Sequence, residues 1–380
     1  MDLKNYRQQI DTIDAELTRL FQERMHIAGS IAEYKKENGL PVLDKGRERQ
    51  KLHDLVGAAE EPLSSYVHVL YSLIFELSRS YQQRLISERT PLQQRITEAV
   101  ENTPRLFPPR AEVACQGVEG AYSQIACEKI FSMPNIMYFN SFESVFAAVD
   151  QGLCTYGVLP LENSTAGSVN RIYDLMSSYS FSIVRSTRLK VDHNLLAKRG
   201  TRIEDVKEIF SHEQAISQCA EYIKKLGNVK VTVCENTAAA AKLVAESPRT
   251  DVAALSSRAC ADLYGLQNLA ESVQDKGSNF TRFICISKKL EIYPGADKTS
   301  VMILTDHKPG ALYKLLSRFY ALGINLTKLE SRPLPDRDFE FMFYFDLETS
   351  VYSPEFITLI GELEGSCEQF RYLGSYSELA

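Results

Sequence analysis

Gly277-Ser-Asn-Phe-Thr-Arg-Phe283 runs into the apolar stretch Phe283-Ile-Cys-Ile-Ser287. A Gly-Ser turn followed by aromatic and β-branched residues predicts a strand. Thr281 and Arg282 set a hydroxyl and a guanidinium between two aromatics, Phe280 and Phe283. A strand edge of that kind suits a small anion; it suits a plain strand start equally well. The segments on either side separate the two readings.

Upstream, from Ala111, strand and helix patterns alternate. Strands are predicted at Val113–Gln116, Ile136–Phe139 and Tyr156–Pro160, with one helix ending near Phe131 and another over Phe142–Asp150. Leu161-Glu-Asn-Ser-Thr-Ala-Gly-Ser168 is expected to open a further helix. A second unit over Asp192–Leu269 has strands near Glu208–Phe210, Val229–Cys234 and Val252–Leu255, and a helix over Thr237–Ala245. Repeated βα units imply parallel sheets covered on both faces, with the strand Arg282–Ser287 crossing back. Glu162-Asn163-Ser164-Thr165 and Ser211-His212-Glu213-Gln214 fall where strands hand over to helices. Open α/β sheets bind ligands there, and free backbone N–H groups favour anions. The same residues also serve as ordinary N-caps. Neither G-x-x-x-x-G-K-[ST] nor G-x-G-x-x-G occurs, which argues against a nucleotide.

Four motifs in order carry a resemblance: Gly117-Val-Glu-Gly-Ala-Tyr-Ser123, Pro160-Leu-Glu-Asn-Ser-Thr-Ala-Gly-Ser-Val169, Ser211-His-Glu-Gln-Ala215 and Asn279-Phe-Thr-Arg-Phe283. Together they resemble the prephenate dehydratase family. The resemblance implies two α/β lobes, like a periplasmic binding protein, with the site in the cleft between them. It carries site roles to Asn163, Ser211, Gln218, Thr281, Arg282 and Phe283, with Glu162 and Ser123 as neighbours. The implied reaction removes carbon dioxide and hydroxide from prephenate to give phenylpyruvate. No cofactor and no metal are implied, because aromatisation drives the step. Thr281 is expected to protonate or hydrogen-bond the leaving hydroxyl, and Arg282 to hold the pyruvyl carboxylate. Val118, Leu161 and Glu213 stand where the family often has Pro, Ile and Pro. Glu213 brings a negative charge near a site for a dianion.

The first ninety residues read as helices. Ile10, Ile13, Leu17, Leu20, Phe21, Ala28 and Ile31 recur at helical spacing between Tyr6 and Asn38. That predicts one helix of roughly 50 Å, ended by Gly39-Leu-Pro41. A second helix is expected over Asp44–Ala59, and a third from Pro62 past Gln83. One helix of that length cannot bury its stripe on two shorter ones, so a partner is expected. Arg24 and Lys35 lie eleven residues apart, within about 20° of one face. That face also carries Leu17, Ala28 and Ile31. A cation on an apolar stripe is costly unless paired, or it snorkels to water. Arg7 lies roughly 25 Å along the axis from Arg24, so a ligand shared by the two takes Arg7 from a second chain. Asp44, Arg47 and Glu48 cluster at the start of the second helix, where Asp44 also suits an N-cap. Ser78 and Gln82 share a face of the third.

This region resembles the all-helical chorismate mutase domain, a dimer of intertwined three-helix chains. The resemblance assigns substrate contacts to Arg7 of the partner chain and to Arg24, Lys35, Asp44, Arg47, Glu48, Ser78 and Gln82. It implies a pericyclic rearrangement of chorismate to prephenate, with Lys35 and Gln82 donating to the ether oxygen that gains negative charge. The arginines suit a dicarboxylate.

The last eighty residues predict strands over Thr299–Asp306, Ile324–Pro333, Phe339–Glu348 and Phe370–Ser375 and helices over Pro309–Leu322 and Pro354–Glu364. A Pro-Asp-Arg-Asp turn is expected between the second and third strands. The order βαββαβ is that of a ferredoxin-like sandwich. Gly310-Ala-Leu312 and Glu330-Ser-Arg-Pro333 resemble the motifs of ACT domains, regulatory amino-acid sensors. The resemblance implies a site for L-phenylalanine at Gly310, Ala311, Leu312, Asn325, Leu326, Glu330, Ser331 and Arg332.

At 380 residues the chain accommodates two to four domains. Apolar content of 44% and charged content of 24% are those of a soluble globular protein. A net charge of -6 argues against a nucleic-acid partner. There is no membrane-length apolar run, and Met1-Asp-Leu-Lys-Asn-Tyr6 lacks a signal region, so a cytoplasmic location is expected. None of the eight cysteines forms a C-x-x-C pair, and reduced, mostly buried thiols are expected. The layout expected is a mutase domain at 1–90, a proline-stiffened linker at 91–110 with a polar helical pattern over Gln93–Glu101, a dehydratase domain at 111–290 and an ACT domain at 297–380. That is the order of bifunctional chorismate mutase–prephenate dehydratases. Chorismate, prephenate and L-phenylalanine are the expected small-molecule partners, and a homodimer or higher homo-oligomer the expected assembly. The competing class is an amino-acid sensor or solute-binding module that lacks chemistry. Thr281, Asn163 and the full set of helical-domain cations weigh against it.

Overall fold

The computed structural model describes residues 2–86, 89–305, 307–334 and 340–380. The Pro-Asp-Arg-Asp turn expected at 335–338 lies outside them. The chain opens with α1 (Leu3–Glu37), α2 (Lys45–Gly57), α3 (Ser64–Ile86) and α4 (Pro91–Asn102). Next come β1 (Glu112–Gln116), α5 (Tyr122–Ile130), β2 (Asn135–Phe139), α6 (Phe142–Asp150), β3 (Tyr156–Asn163), β4 (Gly167–Ser168), α7 (Asn170–Ser178) and β5 (Ser182–Lys190). They are followed by β6 (Asn194–Ala197), β7 (Glu208–Ser211), α8 (Glu213–Gln218), α9 (Ala220–Lys225), β8 (Lys230–Val233), α10 (Thr237–Glu246), β9 (Val252–Ser256), α11 (Arg258–Tyr264) and β10 (Gln267–Ala270). β11 (Phe280–Ser287) closes this part. The remainder holds β12 (Lys298–Leu304), α12 (Ala311–Ala321), β13 (Asn325–Pro333), β14 (Phe341–Glu348), α13 (Pro354–Ser366), β15 (Gln369–Tyr376) and β16 (Glu378–Leu379).

Contacts divide the chain into two compact units. One comprises Met1–Arg95, Leu304–Asn325 and Tyr352–Phe370; the other comprises Ile96–Ile303, Leu326–Val351 and Arg371–Ala380. In the first unit, Asp2 caps α1 and Asp44 caps α2, each carboxylate accepting a backbone N–H three residues on. At 1.5 Å per residue α1 runs about 52 Å. Its buried residues are the small ones, Ala28, Gly29 and Ala32. At Gly29 a Cβ would lie 3.3 Å from the Leu85 side chain of α3, so the missing side chain lets the helices close up. The N-terminal stripe behaves otherwise: Ile10, Ile13 and Leu17 are 55%, 54% and 56% exposed.

The second unit contains three sheets. The first runs β16-β5-β11-β3-β1-β2, with β4 paired to β3, and the second β10-β6-β9-β7-β8. β1 pairs in parallel with β2 and β3, and β7 with β8 and β9, as the βα repeats predict. The sheets are mixed, however. β11 is antiparallel to β3 and β5, and β6 is antiparallel to β9 and β10. The chain passes between the two sheets through residues 191–193 and 271–279, and each passage delivers a strand running the other way. This is the two-lobed, periplasmic-binding-protein-like α/β domain expected. Phe283 and Cys285 pack beneath α5 with Val113, Cys115, Cys127 and Phe131. In the second lobe Ala238, Ala240 and Ala241 seat α10 against Val252 and Ala254.

One expectation is corrected. Leu161-Glu-Asn163 does not open a helix; it extends β3, turns at residues 164–166 and pairs back as β4. Asn163 stays in register with Thr281 of β11, so strand pairing wins over capping. The linker holds the helix that its polar pattern over Gln93–Glu101 predicts. α4 occupies most of it, with Gln93, Ile96 and Ala99 buried. In the last segment the elements follow the order βαββαβ, and the four strands lie as β13-β14-β12-β15. No described helix is long and apolar enough to cross a membrane. The eight cysteines are unpaired, and six of them are buried.

Candidate active sites

Thr281 enters β11 directly opposite Asn163, the last residue of β3. The Asn163 amide donates to Thr281 Oγ1 at 2.9 Å and to Asn279 Oδ1 at 2.7 Å. Its carbonyl oxygen accepts from Thr165 N, Thr165 Oγ1 and Ala166 N at 3.0, 2.7 and 2.9 Å. Three donors on one oxygen fix the amide so that its NH2 faces Thr281. The turn after β3 therefore has a purpose beyond chain reversal.

Gln218, the last residue of α8, comes from the other lobe. It donates to Thr165 Oγ1 at 2.8 Å and accepts from Asn279 Nδ2 at 2.9 Å. Because that oxygen is an acceptor, the 2.9 Å contact from His193 Nε2 makes His193 the donor. Nδ1 of His193 is then unprotonated, buried and without a partner among the described residues. Burial pulls the His193 pKa down, against the opposing hydrogen bond to Gln218. Residues from both lobes and both interlobe passages thus form one hydrogen-bonded network, which reaches the Thr281 hydroxyl through Asn163.

Several expected members are elsewhere. Arg282 faces away from Thr281, because neighbouring residues on a strand point to opposite faces. It is buried in an ion pair with Asp346 of β14, and 3.3 Å from Glu162. Lys328 of β13 joins Glu162 at 2.8 Å. Burial raises the Glu162 pKa, but Arg282 and Lys328 outweigh it and hold the carboxyl below its usual range. Neither Arg282 nor Glu162 lies beside the Thr281 hydroxyl, so the expected carboxylate anchor is absent from this face. Phe283 is core, 2% exposed. Ser211 is fully buried and donates to the Leu255 carbonyl at 2.7 Å. Ser123 is buried in the first turn of α5.

In the helical unit, Ser78 and Gln82 are buried on α3, with Gln82 Nε2 3.3 Å from Ser78 Oγ. Gln82 Oε1 and Arg24 Nη1 are buried without partners among the described residues. The Arg24 guanidinium lies over Phe75, three residues before Ser78, at 5.6 Å from the ring centroid. Lys35 Nζ donates to the Val42 carbonyl at 2.6 Å, tying the end of α1 to the α2 entry. Glu48 is paired with Arg79. Asp44 and Arg47 are exposed at the α2 N-terminus, and Arg7 is exposed on α1, apart from this group. Unpaired donors and acceptors inside a half-apolar wall are what a polar ligand would satisfy.

Residues 6–83 match the family described as chorismate mutase type II, and residues 113–291 match prephenate dehydratase. The bifunctional chorismate mutase/prephenate dehydratase of Escherichia coli (strain K12) is 32% identical over 380 residues, covering 97% of this chain and 95% of that protein. The chain belongs to the bifunctional chorismate mutase/prephenate dehydratase family. As a family member it converts chorismate to prephenate and prephenate to phenylpyruvate. Arogenate dehydratase 2 of Petunia hybrida is 40% identical over 284 residues, covering 70% of this chain and 72% of that protein. A crystal structure of prephenate dehydratase from Arthrobacter aurescens, in complex with L-Phe, is 27% identical with a TM-score of 0.64, covering 70% of this chain and 89% of that one.

In this bifunctional chain the expected regulatory residues divide between the units. Gly310, Ala311 and Leu312 start α12 in the helical unit, with Gly310 in the left-handed region at φ 81°. Asn325 belongs to the same unit. Leu326, Glu330, Ser331 and Arg332 lie on β13 in the other unit. There Glu330 accepts from Ser168 at 2.6 Å and Arg332 pairs with Asp174 at 3.0 Å. Thr165, Asn279 and His193 are site residues that the sequence reading did not single out. The first two sat inside quoted motifs, whereas an isolated His carries no signal.

Proposed function

We propose that the dehydratase reaction takes place at Thr281, in a domain spanning residues 111–290, and the mutase reaction in the helices of residues 1–90. The observation that carries the first assignment is the Asn163-to-Thr281 hydrogen bond. A hydroxyl that accepts from Asn163 has its own proton left to donate. Aimed at the prephenate ring hydroxyl, that proton lets the C–O bond break with loss of water instead of hydroxide. The ring carboxylate departs as carbon dioxide, and its bonding pair completes the aromatic ring. Gln218, His193 and Asn279 hold the donor in place, and Ser211 supports the loop from which α8 starts. The Arg282–Asp346 pair removes Arg282 from substrate contact; it braces β11 from behind.

For the mutase, Arg24 and Arg47 suit the two carboxylates of chorismate. Lys35 and Gln82 suit the ether oxygen, and Asp44, Glu48 and Ser78 the remaining polar groups. The exposed stripe on α1 supports a second chain packed along it, which supplies Arg7. Residues 297–380 then act as an ACT domain that binds L-phenylalanine near Gly310–Leu312 and β13. The βαββαβ order and the L-Phe complex of the Arthrobacter relative support this. Inhibition follows if phenylalanine prefers one conformation over the other. The likeness to the Petunia protein favours arogenate as a second dehydratase substrate. Incubation with chorismate, and separately with prephenate and arogenate, tests these readings by product analysis. Absence of both prephenate and phenylpyruvate from the chorismate reaction overturns the site assignments, and absence of phenylalanine from the arogenate reaction removes the second substrate.

A further inference from the structure

Four charged side chains of the helical unit form a continuous row. The Arg79 guanidinium of α3 donates through Nη1 to Glu48 Oε2 of α2 and through Nη2 to Glu76 Oε2, one turn earlier on α3. Glu76 Oε1 accepts from Arg318 Nε of α12 at 3.0 Å. The side chains are 20%, 30%, 8% and 17% exposed for Arg79, Glu48, Glu76 and Arg318. They line a cavity of about 900 Å³, whose wall also includes Val42, Phe75 and Lys308. Burial works against charge at Glu76, yet Arg318 and Arg79 outweigh it and keep the carboxyl below its usual range.

From this geometry we infer that Arg79 is a positioning residue for the mutase reaction, locking the Glu48 carboxylate in the orientation that meets chorismate. The inference rests on the reading that Glu48 touches the substrate. An isolated glutamate on a helix samples several rotamers. One bound through Oε2 to a planar fork does not, and it presents Oε1 to a substrate hydroxyl. Glu76 and Arg318 act on the other side of that fork. Glu76 takes the second arm of Arg79, and Arg318 prevents Glu76 from turning away. A lysine at position 79 offers one point charge in place of two fixed arms, so it can follow either carboxylate but not register both.

The test uses the full-length protein and chorismate. Glu48→Gln comes first: mutase kcat/KM within twofold of the parent overturns the assignment of Glu48 itself. With that loss established, Arg79→Met is expected to raise the mutase KM about tenfold, the order of one charge-assisted hydrogen bond. Mutase kcat should change less than threefold and dehydratase kcat/KM not at all. Arg79→Lys should recover part of the loss. In the Glu48→Gln background, Arg79→Met should add nothing further, since its effect passes through Glu48. A KM within twofold of the parent, or losses that add in the double variant, overturns the inference. Should Arg79→Met not fold, Glu76→Gln decides: it loosens the second arm, and an unchanged mutase KM overturns the inference equally.

Discussion

At Thr281 the chemistry depends on a proton that Asn163 leaves available. Thr281→Ala should lower phenylpyruvate formation at least about 100-fold, the range for a lost general acid, while prephenate formation from chorismate stays within twofold. Coupled assays on the two substrates separate the effects. A second residue-scale outcome concerns His193. Its folded pKa lies below the unfolded value of about 6.5, so the unfolded chain binds the extra proton first. Its stabilising contribution is present above pH about 6.5 and is lost as pH falls through the folded pKa. Thermal unfolding between pH 7.5 and 5 should show His193→Gln flattening that decline. Asn163, Gln218 and Thr281 were named through the family resemblance; Asn163 and Thr281 stand in its motifs, whereas Gln218 lies three residues beyond one. Arg282 was misread. Its residue type suits a carboxylate, but which face of the strand it takes is set by the pairing of β11 with β3, which composition does not reveal.

The same register gives β11 a second role. Thr281 faces the interlobe site, while Arg282 behind it reaches Asp346 on β14, whose other oxygen accepts from Ser300 of β12. Ser300 is in turn 2.7 Å from the Tyr376 hydroxyl of β15. Asp346 and Ser300 are fully buried, and Arg282 is 4% exposed. Removing one partner of such a pair strands the other: Asp346→Ala should cost about 3–5 kcal/mol in denaturant unfolding. Arg282→Met combined with Asp346→Leu should cost less than either single change. Greater loss in the double variant would mean that the pair is not the tie between these strands. The sequence marked β11 as a strand by its apolar run after a Gly-Ser turn, and β13 and β14 within the βαββαβ order. It left β5, β6 and β10 unmarked, and these deliver part of the antiparallel pairing. β6 is buried throughout and so lacks the period-two pattern on which such readings depend, and β5 hides it by burying the polar Ser182, Ser186 and Thr187.

Over the whole chain, the succession of a mutase part and a dehydratase part was readable because each reaction type leaves its own residue set, and the two sets follow one another in order. The bare stripe on α1 was readable too, being too long for the two shorter helices to cover. What the sequence did not expose is the Glu48–Arg79–Glu76–Arg318 row, because its members come from three separate helices. The uncovered Ile10, Ile13 and Leu17 have a further consequence. Asn163, Thr281, Gln218 and His193 come from one chain, whereas the proposed mutase site borrows Arg7 from another. Dilution should therefore dim the mutase and spare the dehydratase. Stopped-flow assays across a thousandfold range of enzyme should show specific mutase activity falling while specific dehydratase activity stays level. A constant ratio would argue that both sites are complete within one chain. If the ratio falls, the balance of the two rates becomes a gauge of how much enzyme is present, and prephenate supply outpaces its removal only when the protein is abundant.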